Sequence, residues 1–253
     1  MSEREIELAS AEAKGLLGRR TRRAFLTGGI AAVAGLGAYE WLTKAGAEDD
    51  TPWPQRRVLA WNAKIAHAYL SDGHQMPSYS PSQVTYLKPN GDVGLGSDFD
   101  ASDWKLKVSA DGIAPFHLQL SDVTALPRRR MITRFCCIEG WSSIVSWGGA
   151  RFADFTKKFF PPGRELPRFV YLATPDEEYY VGLDLKSALH PQTLLAWEQN
   201  EKPLTAEHGA PLRLVIPVKY GIKNLKRIGS IRYTNQKPGD YWAEQGYDWF
   251  AGL

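Results

Sequence analysis

Two arginine pairs, Arg19-Arg20 and Arg22-Arg23, abut an apolar run from Gly28 to Gly37 made largely of glycine and alanine. A charged flank followed by an apolar core is the order of an export signal, so residues 1–47 are expected to stand apart from the folded body. Ala45-Gly46-Ala47 offers a small-x-small cleavage site. The stretch from Phe25 to Leu42 is also about long enough to span a bilayer, although Glu40 interrupts it. An uncleaved anchor is therefore one alternative, and a buried helix with a basic cap is another. Setting these residues aside leaves 24 Lys+Arg against 23 Asp+Glu. So neutral a body carries no electrostatic footprint for nucleic acid, and none is expected as a partner.

Thr21-Arg22-Arg23-Ala24-Phe25-Leu26 is similar to the twin-arginine export signal. That resemblance implies a protein exported already folded, often with a cofactor taken up beforehand. The expected location is periplasmic, or membrane-anchored if the signal is kept.

The rest divides into residues 48–82, a linker and N-terminal helix, and residues 83–253, the main domain. Residues 48–57 read as linker, and apolar positions from Val58 to Leu70 follow helical spacing. Residues 71–82 read as loop. Trp104–Val108 and Phe116–Leu120 alternate apolar and polar, the period of a half-buried strand, with Asp111-Gly112 between them as a hairpin turn. Ser121 is placed to cap a short helix that Pro127 stops. Further strands are expected at Met131–Cys137, Phe169–Thr174, Thr193–Glu198, Leu212–Val218 and Arg227–Thr234, a helical turn at Asp184–Leu189, and a turn at Asn200–Pro203. Strands that outnumber helices without alternating with them predict an α+β fold, mostly β with short helices.

The two cysteines, Cys136 and Cys137, are adjacent. A disulfide between neighbours would need a strained ring, so both are expected to be free thiols. On a strand they point to opposite faces. Cys136 is expected to be buried core; for Cys137, spacing alone leaves core and functional roles open.

The run Arg134-Phe135-Cys136-Cys137-Ile138-Glu139-Gly140-Trp141-Ser142, followed by Trp147-Gly148-Gly149, resembles the sulfite-oxidase-type molybdopterin family, in the branch of the periplasmic methionine-sulfoxide reductases. A second block, His208 to Lys226, is similar to the pterin-binding segment of that family. The resemblance covers roughly residues 83–235. It implies the sulfite-oxidase-type molybdopterin-binding fold, a molybdenum-molybdopterin cofactor, and Cys137 as the catalytic thiolate and metal ligand. Molybdenum favours soft sulfur ligands, and with a pterin dithiolene supplying two sulfurs the protein need give only one. The pterin phosphate calls for guanidinium, ammonium and backbone N–H donors. Arg213, Lys219, Lys223, Lys226 and Arg227 cluster in that segment; Arg213 and Lys226 are expected to contact the cofactor, with the backbone of Asn224 and Leu225. Thr174 matches a cofactor-contacting threonine. His208 stands where the family has asparagine, and Tyr86 and Leu87 align with contact positions although the surrounding residues depart from the family pattern.

The implied reaction is oxygen-atom transfer on a small-molecule sulfoxide-type substrate, with sulfite dehydrogenation and a cofactor-free binding module as alternatives. Arg134 and Arg151 are candidates by residue type for the anion pocket that sulfite would need. No Cys-x-x-Cys-His haem-attachment sequence is present, so electrons are expected from a separate electron-transfer protein or a membrane haem subunit. The tail beyond the pterin segment is too short for the family's dimerisation domain, and a monomer is expected.

Overall fold

The structure, a computed structural model, describes residues 3–48, 51–96, 99–160 and 163–253; the side chains of residues 3–20, 22, 47, 48 and 51 lie outside that description, and with them the Arg22 half of the twin-arginine pair. The chain divides into two compact units, Met1–Val58 and Leu59–Leu253.

In the first unit, α1 (Glu3–Lys44) is one long helix. Its segment Arg23–Lys44 is long and apolar enough to cross a membrane, and Phe25, Ile30, Val33 and Leu36 on it are exposed. A two-residue ladder follows, β1 (Ala47–Glu48) against β2 (Thr51–Pro52). The expected linker is only partly one, because α2 (Trp53–Tyr69) begins inside it. Pro54 sits in the first turn, where a missing N–H costs no hydrogen bond.

The second unit is built on two five-stranded sheets. The strands and helices run β3 (Leu106–Ala110), β4 (Ile113–Leu118), α3 (Leu120–Thr124), β5 (Arg128–Cys136), β6 (Ser142–Arg151), α4 (Phe152–Phe159), β7 (Phe169–Ala173), β8 (Tyr180–Asp184), α5 (Leu185–Ala188), β9 (Leu194–Gln199), β10 (Lys202–Pro203), β11 (Arg213–Val215) and β12 (Ser230–Thr234). One sheet has the order β10-β9-β6-β5, with β11 also paired to β9, and is antiparallel throughout. The other has the order β4-β3-β12-β7-β8, antiparallel except for the parallel β3–β12 pair. This is the expected α+β class.

Alternation buries Leu106 and Val108 of β3, Val170 and Leu172 of β7, Val181 and Leu183 of β8 and Ile231 and Tyr233 of β12 in one core, with Phe152 and Phe155 of α4. Each such side chain contributes about 1.5–3 kcal/mol on burial. A second cluster, around Leu87, Val145, Trp147, Leu194, Ala196 and Val215, lies on the antiparallel sheet.

Several expected elements shift for local reasons. Gln119, not Ser121, precedes α3: its N–H donates to the Asp122 carboxylate at 2.8 Å, and Ser121 lies inside the helix. β11 is shorter than the apolar run predicts because Ile216 donates its N–H to Asn224 Oδ1 at 2.8 Å instead of to a ladder. The strand β6 has no alternation to reveal it, being buried on both faces around Gly148 and Gly149. Its neighbour β9 comes so close that a Cβ on Gly149 would stand 2.2 Å from the Leu195 carbonyl oxygen. The helix α4 and strand β8 were likewise not legible from periodicity.

Candidate functional site

β5 stops one residue earlier than its apolar pattern predicts. Cys136 still pairs with Ser142 across to β6, whereas Cys137 opens a tight turn. Its N–H donates to Trp141 O at 2.9 Å and its carbonyl accepts from Gly140 N–H at 3.1 Å. Gly140 holds φ +89° there, which a side chain would resist. The two thiols therefore differ, but not as expected: Cys136 is half-buried, and Cys137 is the buried one. Burial pushes the Cys137 thiol above its ordinary pKa. Its sulfur accepts from Asn90 Nδ2 at 3.7 Å. Trp141 is held across the turn by Glu139, which accepts from its indole N–H at 2.8 Å, and Lys88 Nζ lies 4.7 Å from the Trp141 ring centre.

Cys137 opens into a cavity of about 180 Å³. Phe135, Ile138, Trp141, Tyr179, Trp242 and Tyr247 form apolar and aromatic wall; Asn90, Arg213, Asn224 and Lys226 supply polar groups.

Tertiary packing sorts the five cations of the basic segment. Lys223 is fully buried and paired with Asp240 at 2.5 Å, and also donates to Gly182 O at 3.0 Å. Lys219 is buried against the Phe250 ring and donates to Phe250 O at 2.8 Å. These two hold the C-terminal segment. Arg227 donates to Gly96 O at 3.1 Å and covers the Phe99 ring. Arg213 and Lys226 face the cavity.

Arg213 is 2% exposed, yet it makes no ion pair among the described residues. Nη1 donates to His208 O at 3.0 Å and Nη2 to Asn224 O at 3.3 Å, and Nε has no partner. Burial alone pulls its pKa down to about 10, so it remains a cation at neutral pH. Lys226 donates to Asn90 O at 2.9 Å and Gly91 O at 2.8 Å; burial and then Arg213 pull its pKa down to about 8. His208, buried beside both, is lowered by burial and then by their charge. A buried guanidinium with an orphaned N–H, beside a half-buried ammonium that repels it, is an arrangement that can receive an anion. A thiol, a guanidinium and an ammonium on one cavity are the donors a phosphate-bearing metal cofactor of soft character needs, so the residues fit such a group.

The other expected contacts are placed less directly. Asn224 lines the cavity, with its side chain committed to Ile216 N–H and Tyr220 O. Leu225 is core, and its carbonyl accepts from Leu214 N–H at 2.8 Å. Thr174 is buried at the end of β7, its hydroxyl turned to Asp176 at 2.5 Å and Tyr179 O at 3.2 Å. Leu87 belongs to the second core cluster, and the Tyr86 side chain is exposed. None of Tyr86, Leu87, Thr174, His208 and Leu225 lines the cavity. Sequence reasoning missed Asn90, Tyr179, Trp242 and Tyr247; no motif marks them, because they come from a loop, a strand approach and the C-terminal segment.

A family model described as "Oxidoreductase molybdopterin binding domain" matches residues 93–242. A chain of Azospira oryzae named "Putative protein-methionine-sulfoxide reductase subunit YedZ1" is 34% identical over 238 residues, 91% of this chain and 87% of the relative. The protein-methionine-sulfoxide reductase catalytic subunit MsrP of Campylobacter jejuni is 34% identical over 183 residues, 64% of this chain and 60% of its own length. The subunit of that name from Xanthomonas campestris pv. campestris is 36% identical over 154 residues, 56% and 48%. The match thus spans about half to three fifths of those catalytic subunits.

Proposed function

Because this chain belongs to the oxidoreductase molybdopterin-binding domain family, an oxidoreductase family with a molybdenum-molybdopterin cofactor, we propose that it reduces sulfoxides outside the cytoplasm with electrons from a separate protein. The observation that carries the reading is the buried Cys137 thiol sharing one cavity with the buried Arg213, which has no carboxylate partner among the described residues. Cys137 would hold the metal, with Asn90 donating to its sulfur. Arg213 and Lys226 would hold the phosphate, supported by the Asn224–Leu225 backbone and the His208 imidazole. Thr174, Tyr86 and Leu87 would shape the surrounding shell. When bound, the cofactor supplies two-electron oxygen-atom exchange: a sulfoxide, two protons and two electrons give a thioether and water. The chain contributes orientation and a dry, aromatic enclosure.

That enclosure favours a neutral sulfoxide over the sulfite anion. The two arginines that could have formed an anion pocket stand elsewhere: Arg134 is exposed over the Tyr79 ring at 5.7 Å, and Arg151 precedes α4; neither lines the cavity. Protein purified after export, assayed with a reduced dye and its molybdenum quantified, is expected to reduce methionine sulfoxide. Sulfite oxidation outrunning that reduction would overturn the reading, and protein loaded in a molybdenum-replete cell yet free of the metal would favour a binding module.

Two further expectations attach to this reading. Arg213→Ala should weaken cofactor retention by about 1.5–3 kcal/mol, the value of a charge-assisted bond. Pterin content equal to wild type after dialysis would return Arg213 to a purely structural role. Arg22→Lys with Arg23→Lys should leave the precursor inside the cell, because paired guanidinium groups and not mere charge are what the signal resembles. Normal export of that double variant would remove the twin-arginine assignment.

A further inference from the structure

The helix α2 carries two apolar stripes, and the fold covers only one. Leu59, Ala63, Ala66 and, just past the helix, Leu70 turn inward; Ala63 and Ala66 pack on the core, Leu70 is buried in it, and the His67 ring meets Phe250 at 5.2 Å. Trp61, Ile65 and Tyr69, each four residues from the next, lie on the other side at 67%, 55% and 64% exposure. A helix against a soluble body ordinarily fills that side with polar residues. Here the charged residues are of one sign: Trp53–Tyr69 contains Arg56, Arg57 and Lys64 and no carboxylate.

We propose that the outer face of α2 is a membrane-docking surface that lies in the headgroup region of an anionic lipid bilayer. Tryptophan and tyrosine seek that region, where an apolar ring and a polar edge are both satisfied. Lysine and arginine beside them add attraction to anionic lipid. Chain continuity points to the same occupant. Within the first unit, the ring of Trp41 near the end of the membrane-length helix meets Trp53, the first residue of α2, at 5.3 Å, edge to face. The first residue of α2 therefore packs beside the end of the apolar segment. The face belongs to the body whether the leader is cut or kept, and it is independent of the cofactor chemistry.

The test uses the full chain as purified, mixed with vesicles of phosphatidylethanolamine and phosphatidylglycerol. A photoreactive benzoylphenylalanine replaces Trp61, Ile65 or, as a control exposed elsewhere, Lys158. Lipid adducts read by mass spectrometry are expected several-fold more often from positions 61 and 65 than from 158, and less often in phosphatidylcholine vesicles. Yields at 61 and 65 no higher than at 158 would overturn the proposal. Adducts to a second copy of the chain instead of lipid would assign the face to self-association and overturn it as well. Equal yields in phosphatidylcholine would overturn the anionic-lipid specificity.

Discussion

Cys137→Ser protein, purified after export, is expected to have no dye-coupled sulfoxide reductase activity, whereas Cys136→Ala keeps it. The thiolate is the one soft ligand among the described residues that line the cavity, and a serine hydroxyl is a poor substitute for it. Cofactor content should fall less than activity in Cys137→Ser, because Arg213 and Lys226 reach the cavity independently of the turn that carries the thiol. Cys136 is half-buried at the end of β5, so trimming it should cost about 1 kcal/mol or less. Activity and molybdenum measured on the same samples decide the matter. An active Cys137→Ser enzyme, or an inactive Cys136→Ala enzyme with full molybdenum, would overturn the assignment.

Lys223→Met is expected to cost about 3–5 kcal/mol of stability, the range for removing one partner of a buried ion pair. Both side chains of Lys223–Asp240 are 1% exposed. Without the ammonium, Asp240 keeps the N–H groups of Gly182 and Ala243, each at 3.1 Å, but its charge is left in the core. Burial pulls the Lys223 pKa down, and the charge and hydrogen bond of Asp240 oppose that shift. Adding Asp240→Asn to Lys223→Met removes the stranded charge and should restore much of the loss. Urea unfolding of the single and double variants measures both. A single-variant loss under about 1 kcal/mol would show the pair to be solvated in practice. The pair also ties β8 to the segment bearing Trp242 and Tyr247, so the single variant should loosen the aromatic wall of the cavity.

What was legible in the sequence was chemistry carried by contiguous residues. The arginine pair and apolar run marked a long apolar helix, and the Cys137 motif and the basic block marked the family. Strands with one face toward solvent, such as β3, could be read because alternation follows from the pleat. Tertiary structure alone decided the rest. β6 escaped notice because both its faces are buried and glycines admit β9 against it. Of five clustered cations the resemblance singled out Arg213 and Lys226, and packing supplies the reason: Lys219 and Lys223 are neutralised or capped by the C-terminal segment, whereas Arg213 is buried with no carboxylate partner among the described residues. The difference is which side chains are desolvated beside a partner and which beside a cavity, and that depends on residues far apart in the chain.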